Sequence, residues 1–351
     1  MGRVAFVFPG QGSQYVGMGK ALADVSAAAA DVFAEADASL ERPISTLTWS
    51  GDAADLDLTE NAQPALVATS IAYLRALEER LAADGRPPLE PAFVAGHSMG
   101  QYSAMVAAGV LSLADGVRLV RERGRFMQAS GSGRDGAMAA IIGLDDARLP
   151  ELEGVGAAAG AFTIANRNSP GQVVVSGERA AIDAAVAAAK SLGARRAMVL
   201  PVSVAAHSPL MTQAAAGMRA VLADVEFRDP TVPLLANADA RPLTTAEACR
   251  AELVEHLTTG VDWIAAVRAM SAAGVTAFVE VGPGRVLSGL IRRIEPEAEA
   301  IALDEQDAPG RLAAPPDLAG TGPPGTSGTS HASGTPGSPG ATARPVVAPD
   351  R

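Results

Sequence analysis

Hydrophobic residues along the chain fall into two patterns, and their alternation predicts the class of fold. Short apolar runs, such as residues 4–8 and 92–96, are typical of strands that are buried on both faces of a parallel sheet. Longer Ala-rich stretches containing Leu and Val lie between such runs and favour helices that pack closely against the sheet. The sequence therefore predicts an α/β fold with a parallel sheet.

Turn and helix-cap signals separate the predicted strands and helices in the first part of the chain. Residues 9–19 begin with Pro-Gly and form a loop of small polar residues after the first predicted strand. The strand at 92–96 runs straight into a helix that is predicted from residue 98 to about residue 109. Ser112 and Asp115 have the spacing of a capping box, which predicts that another helix begins there.

The middle of the chain has a different order of elements. Residues 132–200 predict a strand, a helix, two strands, a helix and a strand, and this order suggests a small ferredoxin-like subdomain. Residues 1–131 and 201–303 then form a larger core, with a helix near 211–225 and a late strand at 277–281. The small subdomain is therefore predicted to be an insertion in the large one.

The last residues differ in composition from the rest of the chain. Residues 304–351 consist largely of Pro, Gly, Ser, Thr and Ala, with almost no bulky apolar residues. Such a segment cannot bury enough surface to offset the entropy lost on ordering, so the sequence predicts a disordered tail.

Charge and cysteine content narrow the function classes. The chain has 28 basic and 39 acidic residues, a net charge of -11, which argues against binding to nucleic acid or an anionic membrane. Cys249 is the only cysteine, so no disulfide can form within the chain. No stretch approaches the roughly 20 apolar residues that a membrane span needs. We therefore expect a soluble, cytoplasmic protein.

Residues 96–100 carry the first chemical signal. Their sequence, Gly-His-Ser-Met-Gly, matches G-x-S-x-G and lies between a predicted strand and a predicted helix. Glycines allow a tight turn that exposes the Ser98 hydroxyl, and the helix N-terminus offers free N–H groups to an oxyanion. The Met99 N–H is the natural first donor, although Gly-Ser combinations also form ordinary turns.

The loop at residues 9–14 is expected at the same edge of the sheet as Ser98, because it also follows a strand of a parallel sheet. Gln11 is the best candidate in it for a second oxyanion N–H. A phosphate-binding loop and a plain turn are the alternatives. Tyr15 breaks the dinucleotide-binding pattern, and no Gly-Lys-[Ser/Thr] follows for a P-loop. Taken alone, the loop fits a plain turn best.

A serine nucleophile needs a base, and the chain has four histidines. His331 lies in the predicted tail, and the side chain of His97 should diverge from that of its neighbour Ser98. His207 and His256 remain as candidates. His207 lies at a loop-to-helix junction, where a structural role is about as plausible as a catalytic one.

A cation over the serine could bind a substrate carboxylate, and the helix after Ser112 offers two candidates. Arg121 and Arg123 lie on the borders of its apolar face, whereas Arg118 and Arg125 project away from it. Periodicity does not choose between the two, and a solvated helix flank is the default interpretation for either. A border arginine could nevertheless hold a carboxylate with two hydrogen bonds.

Together these segments resemble the malonyl-CoA:acyl-carrier-protein transacylases and the related acyltransferase domains of polyketide synthases. The matching segments occur in family order and cover nearly everything to about residue 303. They are Phe8-Pro9-Gly10-Gln11-Gly12-Ser13-Gln14, Gly96 to Gly100, Arg123 to Met127, Asn166 to Gln172, His207 to Met211 and Val281 to Gly284.

The resemblance implies a role for each candidate residue. Ser98 would be the nucleophile, His207 the base, and Gln11 and Met99 the main-chain oxyanion donors. Arg123, rather than its neighbour two residues earlier, would hold the free carboxylate of the substrate. The implied fold is an α/β-hydrolase-like core with a ferredoxin-like insertion, which agrees with the predicted order of elements.

Three departures from the family pattern affect these roles. Met99 stands where the family usually has Leu, Val or Gln, and Gln101 stands where it usually has Glu. The second change removes a charge beside the turn but leaves the main-chain donors. His256 stands where the family usually has Gln, and its carbonyl can still orient the catalytic histidine. Ala206 precedes that histidine, where malonyl-selective polyketide acyltransferases commonly have Phe and methylmalonyl-selective ones Ser. The small side chain leaves room beside the acyl α-carbon, so strict malonyl selectivity does not follow.

The predicted activity is transfer of a malonyl or substituted malonyl group from coenzyme A to the phosphopantetheine thiol of an acyl carrier protein, through an acyl-Ser98 intermediate. The predicted partners are the carrier protein and the acyl-CoA substrate, with no metal, no permanently bound cofactor and a monomeric chain. A trans-acting polyketide acyltransferase for another extender unit is the main alternative. A thioesterase-type hydrolase and a non-catalytic docking protein are the others.

Overall fold

A computed structural model describes residues 3–131, 135–202 and 204–304 as two β-sheets with helices packed against them. The strands are β1 (Arg3–Phe8), β2 (Phe93–Gly96), β3 (Gly136–Ile142), β4 (Phe162–Ser169), β5 (Gln172–Glu178), β6 (Arg196–Val199), β7 (Leu234–Leu235), β8 (Pro242–Leu243), β9 (Val261–Asp262), β10 (Val275–Glu280) and β11 (Glu299–Ala302). The predicted disordered tail lies outside the described residues, except for Asp304.

Helices occupy most of the chain between these strands. They are α1 (Lys20–Ala23), α2 (Ala27–Ala38), α3 (Ile44–Ser50), α4 (Ala53–Asp57), α5 (Thr59–Ala83), α6 (Gly100–Ala107), α7 (Leu113–Gly131), α8 (Leu149–Ala159), α9 (Arg179–Ala189), α10 (Thr212–Ala223), α11 (Ala246–Glu255), α12 (Trp263–Ala272) and α13 (Val286–Ile294). Within the described ranges, none of these helices has both the length and the hydropathy that crossing a membrane requires.

The larger sheet has the strand order β11-β10-β1-β2-β7-β8, and all neighbours in it are parallel except β7 and β8. Both faces of this sheet are covered. In β1, Val4, Phe6 and Phe8 join the core formed with α5 and α7, whereas Ala5 and Val7 join the core formed with α12 and α13. Two-sided burial explains why the strand is a continuous apolar run and confirms the prediction of a parallel α/β sheet.

The smaller sheet has the order β6-β3-β5-β4-β9, and β3 to β6 pair antiparallel. Residues 136–199 follow the predicted strand and helix order, and residues of α8 and α9 cover one face of the sheet. Strand β9 was not predicted. It pairs in parallel with β4, at Asn166 and Val261, and so attaches the chain after α11 to this sheet.

The ends of several predicted elements differ from those observed. Helix α7 begins after Ser112 as predicted, and the Ser112 hydroxyl accepts the N–H of Asp115 at 3.0 Å. The helix predicted from Ser98 was placed too early, because α6 begins at Gly100 and Ser98 has a left-handed backbone. The late strand β10 begins at Val275, two residues earlier than expected. Tertiary contacts, which the local pattern does not contain, determine these boundaries.

Candidate active site

Ser98 lies in a sharp turn between β2 and α6, and two glycines make the turn possible. A Cβ atom on Gly96 would lie 2.0 Å from the main-chain carbon of Gly100, so only glycine fits there. A Cβ atom on Gly100 would lie 2.2 Å from the carbonyl oxygen of Phe8. Ser98 itself has a φ of 53°, an unfavourable value for a residue with a side chain. Backbone strain is therefore concentrated at the candidate nucleophile.

The loop after β1 reaches the same edge of the sheet. Phe8 pairs with the last residue of β2, and its carbonyl accepts the N–H of His97 at 3.0 Å. Gln11 follows in this loop, and Met99 occupies the N-cap position of α6. Gln11, Ser98 and Met99 all line one cavity of about 520 Å³. The structure thus places both candidate oxyanion donors around the cavity that contains the candidate nucleophile.

His207 forms a hydrogen-bonded pair with Ser98. Its Nε2 atom lies 2.8 Å from the Ser98 hydroxyl oxygen. Its Nδ1 atom lies 2.6 Å from the carbonyl oxygen of His256 and 3.0 Å from that of Thr259. Carbonyl oxygens can only accept, so Nδ1 carries the proton and Nε2 is left free to accept the serine proton. The protein thereby fixes the tautomer that a general base requires.

The surroundings of His207 keep its imidazole neutral. The side chain is buried, and burial followed by the nearby positive charge of Arg123 lowers its pKa to about 4. At neutral pH the ring is therefore ready to take a proton. His207 also has a φ of 58°, so the candidate nucleophile and the candidate base both adopt strained backbone conformations.

Arg123 lies inside the protein beside this pair, and the solvated-flank interpretation is wrong for it. The residue is 1% exposed, one Nη atom lies 3.3 Å from the Ser98 hydroxyl oxygen, and the other donates to Gln63 Oε1 at 2.9 Å. Across the described ranges, no carboxylate forms an ion pair with Arg123. Arg121 instead lies at the border of the apolar face of α7 and donates to Asn61 Oδ1 at 2.5 Å. The site therefore contains a buried cation without a counter-ion.

Two further candidate residues lie close to the base. Ala206 is half-buried and lines the cavity. The ring of His256 is buried, with its centroid 6.2 Å from that of His207 and 6.0 Å from that of Tyr102. Burial, and then the positive charge of Arg123, hold the pKa of His256 well below its usual value. His256 therefore contacts the base through its carbonyl, while its own ring stays neutral.

His97, the remaining histidine among the described residues, contacts residues other than Ser98 and His207. Its Nε2 atom lies 2.9 Å from Asn168 Oδ1, and its ring packs edge-on against Trp263. Burial lowers the pKa of His97. Among the described residues, no group of three or more His, Cys, Asp or Glu side chains could hold a metal ion.

Three polar side chains that the sequence analysis did not assign to the site hold its parts in place. Gln63 accepts a hydrogen bond from Arg123, and Asn237 Oδ1 accepts the N–H of Ser98 at 2.8 Å. Gln101 Oε1 accepts the N–H of Gly96 at 3.1 Å. These three side chains support the cation and the two sides of the serine turn.

The sequence contained only part of a signal for one of the three. Asn237 follows the apolar residues 234–236, and the carboxyl ends of strands in a parallel sheet are where ligands and reactive groups collect. A two-residue strand has no detectable period, so this apolar run alone did not identify β7. Gln63 stands within the apolar part of a helix, where only the folded structure reveals its partner on α7.

Together these groups can perform nucleophilic chemistry on an acidic substrate. A neutral imidazole can take the proton of a strained serine, the candidate oxyanion donors Gln11 and Met99 line the cavity, and a buried guanidinium can pair with a carboxylate. Carbonyl oxygens, rather than a carboxylate, orient the imidazole in this arrangement. The site is suited to forming an ester between Ser98 and an acyl group that carries a negative charge.

Comparisons with known proteins agree with this chemistry. The sequence model of the family described as "Acyl transferase domain" matches residues 5–303. The malonyl CoA-acyl carrier protein transacylase of Escherichia coli K12 is 46% identical over 311 residues, which is 88% of this chain and 98% of that protein. The corresponding protein of Bacillus subtilis is 42% identical over 308 residues, which is 88% of this chain and 95% of that protein.

A solved structure is similar over the same part of the chain. The crystal structure of acyl-carrier-protein-S-malonyltransferase from Bartonella henselae has a TM-score of 0.82 and 43% identity, and the match covers 87% of this chain and 96% of that one. The solved structure shares the fold of this chain, and residues 5–303, which match the family model, include every candidate site residue. The chain therefore belongs to the malonyl-CoA:acyl-carrier-protein transacylase family of acyltransferases.

Proposed function

We propose that this protein transfers a malonyl or substituted malonyl group from coenzyme A to the phosphopantetheine thiol of an acyl carrier protein, in fatty acid or polyketide biosynthesis. Its relatives carry the name of this activity. The observation that carries the proposal is the buried, unpaired guanidinium of Arg123, 3.3 Å from the hydroxyl of a serine that is itself hydrogen-bonded to a neutral histidine.

In the first half-reaction, His207 Nε2 takes the hydroxyl proton while the Ser98 oxygen attacks the thioester carbonyl. The N–H groups of Gln11 and Met99 donate hydrogen bonds to the resulting oxyanion. The tetrahedral intermediate then collapses, the carbon–sulfur bond breaks, and the proton on His207 passes to the sulfur of coenzyme A. The products are acyl-Ser98 and free coenzyme A, and the imidazole is neutral again.

In the second half-reaction, the thiol of the carrier's phosphopantetheine arm replaces coenzyme A. His207 takes the thiol proton, the sulfur attacks the ester carbonyl, and Ser98 leaves after recovering a proton from the imidazole. The carbonyl of His256 holds the imidazole in the same tautomer through both halves. The same groups thus serve a ping-pong cycle in both directions.

Arg123 is proposed to bind the free carboxylate of the acyl group. A buried charge without a partner is costly, and a carboxylate that pairs with it removes most of that cost. A hydrogen bond to a charged group contributes about 1.5 to 3 kcal/mol, which disfavours neutral acyl groups such as acetyl. The bound carboxylate would also offset the positive charge that lowers the pKa of His207. Substrate binding would therefore make the base stronger when it is needed.

Ala206 supports a second candidate, a trans-acting polyketide acyltransferase for a substituted extender unit. Its small side chain lines the cavity of about 520 Å³ beside His207. Competition between malonyl-, methylmalonyl- and ethylmalonyl-CoA tests this candidate, because equal loading of the larger groups would favour it. Exclusive loading of malonyl would reject it.

A thioesterase-type hydrolase is the competing activity that the main experiment must separate. Malonyl-CoA is incubated with the enzyme, with and without the phosphopantetheinylated carrier protein, and free coenzyme A is followed over many turnovers. A transferase releases about one equivalent without the carrier and turns over when the carrier is present. Rapid turnover without the carrier would overturn the proposal.

The proposed cycle uses no resident cofactor, because coenzyme A enters only as the thioester substrate. The division into a core of residues 1–131 and 201–303 and a subdomain of residues 132–200 is proposed on the basis of the two sheets. A cytoplasmic location and a monomeric state remain predictions.

A further inference from the structure

We infer that Asn237 is a positioning residue that holds the Ser98 turn in its reactive conformation. Its side-chain amide spans the turn: Oδ1 accepts the N–H of Ser98 at 2.8 Å, and Nδ2 donates to the carbonyl of Gly96 at 3.2 Å. One small side chain therefore ties the residue before the turn and the nucleophile to a single rigid group. This inference rests on the proposed function, since it concerns the same serine.

The partners of Asn237 determine its orientation. A main-chain N–H can only donate and a carbonyl can only accept, so both bonds form with one orientation of the amide and neither forms with the other. The residue is 4% exposed, so water cannot readily replace either bond. Ser98 has a φ of 53°, and a strained conformation persists only where surrounding contacts impose it. The amide of Asn237 supplies such contacts on both sides.

The fold places Asn237 at the turn and fixes its own backbone. Strand β7 is the neighbour of β2 in the larger sheet, and Asn237 lies two residues beyond its end. The N–H of Asn237 donates to Glu252 Oε1 at 2.7 Å, and its carbonyl accepts the N–H of Asp262 at 2.7 Å. Glu252 is 2% exposed. The buried carboxylate of Glu252 thus holds Asn237 in place, and Asn237 in turn holds the Ser98 turn.

Asn237→Ala tests the inference in a single-turnover assay that measures the rate of malonyl transfer from malonyl-CoA to Ser98. Loss of both bonds should displace the hydroxyl, and displacements of about 1 Å can cost about 100-fold. We expect the loading rate at saturation to fall about 10- to 100-fold, while the malonyl-CoA concentration that gives half of this rate in the same single-turnover assay changes less than about twofold, because Arg123 is untouched. Asn237→Asp should also be slow, because its carboxylate cannot donate to the Gly96 carbonyl.

Two controls separate positioning from general loss of structure. Thr48→Val removes a buried hydrogen bond to the carbonyl of Ile44 within α3, at a residue that does not line the site's cavity, and should load at the wild-type rate. Rates are expressed per chain that becomes loaded after long exposure, so unfolded protein is not counted. If Asn237→Ala loads as fast as Thr48→Val on this basis, the inference is wrong.

Glu252 offers a second test if Asn237→Ala folds poorly. Glu252→Gln keeps an acceptor for the N–H of Asn237 and should load at nearly the wild-type rate, whereas Glu252→Ala should load several-fold more slowly. Equal rates for these two variants would contradict the anchoring role. Failure of the wild-type protein to load any acyl group would instead overturn the proposed function, and so the two failures are distinguishable.

Discussion

The two sheets contribute to the site in different ways. The larger sheet supplies Ser98 directly, at the end of a strand that is buried on both faces. The smaller sheet supplies walls of the same cavity, including Met138 and Val174. Its edge strand β6 is open to solvent, and Val199 there is 39% exposed. The nucleophile thus belongs to the sheet that is covered on both faces, and the more open sheet shapes the space around it.

His207 lies where the two regions meet, and its contacts show how they cooperate. It follows β6 in the chain, but its Nδ1 atom is held by the carbonyls of His256 and Thr259, just before β9. Strand β9 in turn extends the smaller sheet by pairing with β4. Substitutions should therefore be severe at the serine turn and mild on the exposed edge strand β6 of the smaller sheet.

The most severe expected loss is at the nucleophile. Ser98→Ala should reduce transfer of malonyl to the carrier protein by about 10⁴- to 10⁶-fold, because the catalytic groups act as a unit. Steady-state transfer assays measure the loss, and circular dichroism checks that the fold is intact. Residual transfer within tenfold of the wild type would place the nucleophile elsewhere.

The next largest effect is expected at Arg123. Arg123→Ala should lower the preference for malonyl-CoA over acetyl-CoA by about 10- to 150-fold, the factor that corresponds to about 1.5 to 3 kcal/mol. The ratio of kcat/KM values for the two substrates measures this preference. Arg121→Ala is the matched control, because that residue bonds to Asn61 at the border of the same helix. Equal changes in both variants would contradict the carboxylate-binding role.

The pH dependence should report the neutral state of His207. Burial and the charge of Arg123 lower its pKa to about 4, and the base acts only when it is deprotonated. The value of kcat/KM should therefore be level between about pH 6 and 8 and fall about tenfold per pH unit below the pKa. Circular dichroism at each pH excludes acid unfolding. A half-maximal value near pH 6.5 would show that the base lies in an ordinary, solvated environment.

Glu252, which holds Asn237 in place, should make the stability of the fold depend on pH. Burial raises its pKa from 4.5 to about 6, so the folded state holds this proton more tightly than the unfolded state does. The resulting penalty is absent below about pH 4.5 and complete above about pH 6, where it reaches about 2 kcal/mol. The unfolding free energy of Glu252→Gln, measured relative to the wild type, should therefore increase by about 2 kcal/mol as the pH rises from about 4.5 to about 6. Urea titrations that gave a pH-independent difference would reject this.

The smallest effect is expected on the exposed edge strand of the smaller sheet. Val199→Thr replaces an exposed apolar side chain on β6 with a polar β-branched one of similar shape. The free energy of unfolding should change by less than about 0.5 kcal/mol, and the malonyl loading rate should not change. A strong effect on loading would mean that this strand does more than form a wall.

The local sequence predicted some parts of this site, and tertiary contacts were needed for others. The Ser98 turn was predictable because glycines, strand and helix adjoin one another in the chain. Arg123 was not separable from Arg121 by periodicity, because its burial depends on the distant side chains of Gln63 and Ser98. The two-residue strands β7 and β9 have no period of their own, so the support provided by Asn237 could not be inferred from pattern alone.

One measurement tests the central claim most directly. The intact mass of the protein is recorded after exposure to malonyl-CoA, and again after addition of the phosphopantetheinylated carrier protein, with Ser98 identified by peptide mapping. We expect one malonyl group on Ser98 in the first spectrum, and its transfer to the carrier in the second. A chain that passes malonyl to the carrier without ever carrying it on Ser98 would contradict the account.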